Sequence, residues 1–320
     1  MINLDLSWQQ AAGAGAGLAL ASVGLRTASR QRLVRAGAAA QESGLAFGLF
    51  ALWQYAGSFA VLGPGGALGR ARWIWNFERA AHMPSETWVQ RLFLPHPLLI
   101  QFFNLYYDSL HFPVLIGCMI WLFVWHRDSY GRWRTTLVAV TALCLVVQLV
   151  PVAPPRMLPF TGLVDTGVLY HQSVYANVAG FDPDQLSAMP SVHVGWAILV
   201  AAAIITTTTS RWRWLVVLYP VMTTLAVVVT ANHFWLDGIV AAVILALVLA
   251  VQLLIRRVLA GRQVVVDDDA QRLREHGSDD GELTGGDDGA PERAGVDDQP
   301  ELGVPQVGGL HRDLAEVDPG

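Results

Sequence analysis

Apolar residues in this chain fall in long blocks. Runs near 43–62, 109–125, 134–152, 189–209, 212–231 and 235–255 approach the about 20 residues an α-helix needs to cross a bilayer core. The pattern predicts an all-α, polytopic membrane helix bundle with about six transmembrane helices, its membrane domain spanning 43–260. The stretch 11–25 is also apolar, but short and rich in Gly and Ala. It reads as a surface or partly inserted helix within a basic, amphipathic N-terminal segment, 1–42. Between the first two runs, Trp73, Trp75, Phe77 and Trp88 alternate with Arg70, Arg72, Arg79, Glu78 and Glu86. That mixture predicts an interfacial helix after the first span, since Trp favours the membrane–water boundary. From 261 to 320 the chain turns rich in Asp and Gly with few aromatics, which predicts a disordered acidic tail.

Composition agrees with the pattern. The chain is 53% hydrophobic and 15% charged, with a mean hydropathy of +0.40. Soluble domains carry about 25% charged residues. The net charge of -5 conceals an asymmetry. Residues 262–320 hold 16 acidic and 5 basic residues, so the remainder holds 10 acidic and 16 basic. All 21 basic residues are arginine. They concentrate at 26–35, 127–134, 211–213 and 256–262, which six spans place on one side, expected to be cytoplasmic. The loop at 63–96, with four arginines, falls on the other side; two glutamates and an interfacial setting offset it. The expected location is the plasma membrane, with the tail cytoplasmic. Cys118 and Cys144 lie within apolar runs and suggest neither disulfide nor metal. No basic residue precedes the first apolar stretch, so no cleavable signal peptide is expected.

Two stretches put histidines at span ends: M-P-S-V-H-V-G-W at 189–196 and T-A-N-H-F-W-L-D-G at 230–238. Ionisable groups are costly at such positions and mark function. The long Pro-rich loop before them carries Arg156. On the six-span topology Arg156, His193, His233 and Asp237 meet at one level of the outer leaflet, with His111 at the start of the second span. His233 and Asp237 are four apart, the spacing of neighbours on one helix face. A carboxylate on one imidazole nitrogen fixes the tautomer and frees the other as base or nucleophile. His193 follows Pro190 and Ser191 at a helix start, where free N–H groups favour an anion. Arg156 adds a planar cationic fork suited to phosphate. Together these suit phosphoryl transfer without metal, one histidine attacking phosphorus and the other protonating the leaving oxygen. A metal site built from His193, His233 and Asp237 is the competing reading of the same residues. Tyr107 reads as interfacial belt or lipid-pocket wall. Asp108 and His111 read as structural, or as second shell or acceptor-binding residues.

At these residues the chain resembles the type 2 phosphatidic acid phosphatase superfamily. P-S-V-H, followed some 40 residues later by H-F-W-L-D, is similar to its second and third signature motifs. The wording P-S-V-H-V-G and T-A-N-H-F-W-L-D is similar to the inositol phosphorylceramide synthase-like branch of inositol phosphotransferases. The resemblance covers roughly 95–250. It implies a six-helix bundle without metal or cofactor, with His233 as a nucleophile forming phosphohistidine, Asp237 orienting it and His193 as general acid. It further implies phosphate binding by Ser191 and Arg156. Asn232, next to His233, reads as a second-shell or acceptor-binding position. The chain departs from the pattern at three places. It has no lysine for the first motif, Val192 replaces a motif glycine, and Val227 stands where the third motif carries arginine. A phosphate meeting one arginine favours a monoanionic diester over a dianionic monoester. The resulting expectation is a membrane phosphotransferase or phosphatase acting on a lipid phosphate at the outer leaflet. Transfer to inositol or a similar alcohol and hydrolysis alone both stay open, as does oligomeric state. The expected partners are a lipid phosphate and the bilayer, without nucleic acid. A proton-coupled transporter is the rival class; it would place its ionisable groups at mid-depth, and no internal repeat supports it.

Overall fold

In this computed structural model, residues 7–28, 30–57, 65–172 and 183–279 are described. Among them the fold is all-helical, with one isolated bridge between Val152 and Ser187. The chain divides into two compact units, 1–259 and 260–320. Asp182, residues 58–62 of the expected first span and the tail from 280 lie outside the described residues.

The first unit opens on α1 (Trp8–Arg26), started by a capping box in which Ser7 and Gln10 each accept the other's backbone N–H. It packs antiparallel to α2 (Gln31–Gly57) along a glycine seam. A Cβ on Gly15 would lie 3.0 Å from the Gly44 carbonyl, and one on Gly44 2.9 Å from that of Gly15. Only small residues permit such backbone approach. The surface-helix expectation for 11–25 thus becomes one arm of a helical hairpin. Glu42 ties this hairpin to the helix at 127–148 by accepting from Arg134 at 2.6 Å and Tyr130 at 2.9 Å.

The expected interfacial segment forms α3 (Ala67–Ala80) and α4 (Glu86–Phe93). Trp73 and Trp88 are exposed, while α3 buries a stripe of Ala67, Ala71, Ile74 and Glu78. Next come α5 (Pro97–Ser109) and α6 (His111–Trp125), bent by 49° at their junction. Pro113 explains the break: it has no N–H for the Ser109 carbonyl, and its ring crowds that carbonyl. α7 (Arg127–Gln148) leads to the Pro-rich loop, which includes the short α8 (Thr166–Leu169). α9 (Val192–Thr207), α10 (Leu218–Val229) and α11 (Trp235–Asp279) complete the elements.

Two segments are long and apolar enough to cross a membrane: Arg211–Val229, a 3-10 stretch continued by α10, and Trp235–Gly261 within α11. The bent pair α5–α6 makes a third. α9 is apolar but only 16 residues long, about 24 Å at 1.5 Å per residue. Two other expected spans fall short on composition. α7 opens with Arg127, Asp128, Arg132 and Arg134, and the described part of α2 is diluted by Gly, Gln, Glu and Ser. α11 also continues through Asp279, past the expected start of the disordered tail at 261. Ala, Gln, Arg, Leu and Glu at 270–275 are good helix formers, which carries the helix beyond its apolar part.

Packing holds the site in place. Leu122, Val140, Leu199 and Leu245 from α6, α7, α9 and α11 form one buried cluster. Val89, Ile100, Phe103 and Val227 join α4, α5 and α10 in a second. A third sets Ala71 and Ile74 of α3 against Val152, Leu158, Ala188 and Phe234. Histidine-bearing segments therefore rest on α3, α4 and α5.

Candidate active site

The turn between α10 and α11 sets the first histidine. The Asn232 N–H donates to the Val227 carbonyl at 3.0 Å and the Ala231 N–H to that of Val228 at 3.0 Å. This is the Schellman pattern, which closes a helix with one left-handed residue. Ala231 takes that place at φ 54, fully buried, where glycine is usual. His233 follows and lies outside the helix. Phe234 occupies the N-cap position of α11, and Asp237, three residues on, reaches back to accept the Phe234 N–H at 2.9 Å. That reach is one half of a capping box. It carries the same Oδ2 to 3.3 Å from His233 Nδ1. His233 and Asp237 meet as the spacing suggested, but through a cap and not through a shared helix face.

His233 Nδ1 has a closer partner, the Ala188 carbonyl, at 2.7 Å. Both neighbours accept, so Nδ1 carries the hydrogen and Nε2 keeps its lone pair. His193 stands in the first turn of α9, its ring centroid 6.0 Å from that of His233. Tyr107 lies 4.7 Å from the His193 ring and 6.4 Å from the His233 ring. His111, the first residue of α6, lies 4.6 Å from His193 and its Nδ1 is 3.3 Å from the Tyr219 hydroxyl. Buried His111 Nε2 has no hydrogen-bond partner.

Ser191 is the N-cap of α9, its Oγ accepting the Val194 N–H at 3.5 Å. Its own N–H donates to the Asp237 carbonyl at 3.0 Å, which couples the two motif segments. Arg156 enters from the Pro-rich loop. Its backbone N–H donates to the Ala231 carbonyl at 3.1 Å, its Nη1 to Asn232 Oδ1, and its Nε lies 3.2 Å from Asp165 Oδ2. Asn232 in turn donates to Thr230 Oγ1 at 2.8 Å.

The structure thus gathers His193, His233, Asp237, Ser191, His111, Tyr107, Arg156 and Asn232 around two helix starts and one turn. Asp108 is exposed on α5, and no contact joins it to this group among the described residues. Three participants are absent from the sequence reading of the site. Asp165 was legible only as a loop acid, although it also caps α8 by accepting the Val168 N–H at 3.0 Å. The Ala188 carbonyl carries no side-chain signal. Glu78 accepts the Leu236 N–H at 2.7 Å, and its place on the buried stripe of α3 was a readable sign.

Apolar helices of this length describe a membrane protein. A family model described as PAP2 superfamily matches residues 72–251, more than half of the chain. The chain belongs to the PAP2 superfamily, a membership that fits phosphatase or phosphotransferase chemistry on lipid phosphates. No curated protein and no solved structure matches it.

Proposed function

We propose that the protein is a multi-pass phosphotransferase or phosphatase of the plasma membrane that acts on a lipid phosphate at the outer leaflet through a phosphohistidine. One observation carries this reading: His233 Nδ1 is held by the Ala188 carbonyl and Asp237, which leaves Nε2 as nucleophile in a group shared with His193. In the first half-reaction Nε2 attacks phosphorus and the bond from phosphorus to the leaving oxygen breaks. His193 passes its proton to that oxygen. In the second, an acceptor hydroxyl attacks the phosphohistidine, the P–N bond breaks and His193 takes the proton back. Arg156 and the free N–H groups of the first turn of α9 hold the phosphoryl oxygens, assisted by the Ser191 hydroxyl. Tyr107 and His111 border the acceptor.

Arg156 is the one arginine carried by the motif segments, and Asp165 already offsets part of its charge. That balance favours a monoanionic phosphodiester over a dianionic monoester. An alcohol such as inositol is the favoured acceptor on motif wording, and water gives the simple phosphatase. The six-span topology, the extracytoplasmic site and the cytoplasmic tail follow from the arginine distribution.

The test incubates purified protein with phosphatidic acid, a polyprenyl diphosphate and phosphatidylinositol plus ceramide, each with and without inositol, and follows phosphate release and lipid products. Labelled phosphate should be trapped on wild type in an acid-labile, base-stable form and not on His233→Ala. His233→Ala and His193→Ala should each abolish turnover while the protein still inserts. Retention of more than about a tenth of the wild-type rate by His233→Ala would remove the nucleophile from the scheme.

A further inference from the structure

We propose that Glu78 is a positioning residue for the His233–Asp237 pair, holding the first turn of α11 by accepting the Leu236 N–H through its buried side chain. The inference rests on His233 being the nucleophile.

The argument starts on α3. Its buried face reads Ala67, Ala71, Ile74 and then Glu78, fully buried. Placing a carboxyl at the end of an apolar stripe is costly unless its oxygens find donors. Glu78 Oε1 finds the Leu236 N–H at 2.7 Å, one of the donors that a helix start leaves unpaired. Asp237 takes the Phe234 N–H of the same turn at 2.9 Å. Two carboxyls from different segments therefore fix one helical turn, and His233 hangs from its leading edge. The Trp235 indole adds a third tie, donating to the Pro84 carbonyl at 2.9 Å.

The charges explain why this carboxyl suits the place. Glu78 meets Glu86 of α4, Arg79 of α3 and Asp237 at the start of α11. Glu86 and Asp237 are also fully buried. Arg79 Nη2 lies 2.9 Å from Glu86 Oε2 and 3.9 Å from Glu78 Oε2, so Glu86 holds the cation. Glu78 Oε2, Glu86 Oε1 and Asp237 Oδ1 are buried without hydrogen-bond donors. Glu78 and Glu86 share one arginine, and two buried carboxylates so placed would repel each other; a retained proton relieves this. Burial first, then the neighbouring Glu86 carboxyl, push the Glu78 carboxyl up to about 9. With its proton retained at neutral pH, Glu78 adds no further negative charge beside Asp237 to that of Glu86. Ionisation of Glu78 above that range brings a like charge against Asp237 and disturbs the turn that carries the nucleophile.

The test compares Glu78→Gln, Glu78→Leu and His233→Ala in the full chain, on the lipid phosphate that wild type turns over fastest. Glu78→Leu should lower kcat by about 10- to 100-fold, the cost of a misplacement near 1 Å, with KM changed less than threefold. Glu78→Gln keeps a neutral acceptor for Leu236, so its kcat at pH 7 should stay within threefold of wild type. Wild-type kcat should fall near pH 9, and Glu78→Gln should lose that fall. Unchanged kcat in a folded Glu78→Leu, or an alkaline limb that persists in Glu78→Gln, overturns the proposal. If Glu78→Leu does not fold, the Glu78→Gln pH profile decides alone. Activity surviving in His233→Ala would bring down the site reading itself, a different outcome from a silent Glu78.

Discussion

Asp237→Asn separates two ways of holding the nucleophile. Where a carboxylate alone sets a catalytic histidine's tautomer, its amide costs about 10⁴-fold, because the amide can turn its donor toward the ring. Here the Ala188 carbonyl accepts the Nδ1 hydrogen at 2.7 Å, closer than Asp237 Oδ2 at 3.3 Å. A backbone carbonyl cannot switch to donating, so the tautomer should survive the substitution. Under the proposed mechanism, what is lost is the charge that steadies His233 as it becomes cationic on phosphorylation. A hydrogen bond to a charged group contributes about 1.5–3 kcal/mol, which predicts a fall in kcat of about 10- to 150-fold. The Asn side-chain oxygen still accepts the Phe234 N–H, so the helix start should hold and thermal stability should change little. The assay is steady-state turnover of a lipid phosphate in detergent beside a thermal melt, with His233→Ala as the floor. A loss near 10⁴-fold in Asp237→Asn with an unchanged melt would show that Ala188 does not hold the tautomer. A loss under threefold would remove Asp237 from the chemistry.

Three further outcomes are expected. Cysteine at exposed Val168 should be labelled by an impermeant thiol reagent in intact cells and cysteine at exposed Ser210 should not; both native cysteines are buried, and the reverse pattern would invert the proposed topology. Activity should survive excess EDTA, whereas loss restored by zinc would favour the metal reading of His193, His233 and Asp237. Glu78 binds its proton in the folded state up to about 9 but in the unfolded chain only up to about 4.5, so between these values the folded state holds more protons and stability falls as pH rises. The melting temperature of Glu78→Gln should accordingly decline less than that of wild type from pH 5 to 9, and parallel declines would mean that Glu78 does not hold the extra proton.

The residues of the candidate site were legible where side-chain type stands out. His193, His233 and Asp237 stand out because ionisable groups beside apolar runs are rare, and their ring and carboxyl contacts follow in the fold. The means of assembly were not legible. Nothing in T-A-N-H announces a Schellman turn, because alanine occupies the left-handed position where glycine would signal it. The Ala188 carbonyl is a backbone group and leaves no mark in sequence. Asp165 depends on a long-range approach to Arg156 that no local spacing encodes. Glu78 is the instructive case: read against its exposed tryptophan neighbours it is one charge of an interfacial helix, but the spacing Ala67, Ala71, Ile74, Glu78 already placed it on the buried face. Helix ends were the weaker part of the fold reading. Propensity carried α11 to Asp279, whereas hydropathy alone ended it near 255.

The same groups close the helices and build the site. Ser191 caps α9, Asp237 reaches back over the start of α11, and Ala231 ends α10 while its carbonyl holds the backbone of Arg156. A helix end has unpaired donors or acceptors, and near a membrane there is little water to satisfy them. Side chains recruited to pair them are therefore polar and fixed, which is also what the proposed phosphoryl-transfer site requires. Loss of activity at these positions consequently has two separable origins. Ser191→Ala removes a cap and should cost about 1 kcal/mol of stability, whatever it does to phosphate binding. His193 caps nothing, so His193→Ala should lose activity with an unchanged melt. A His193→Ala protein that lost both together would mean that the ring is a packing element between Tyr107 and His111 and not the proton donor assigned to it.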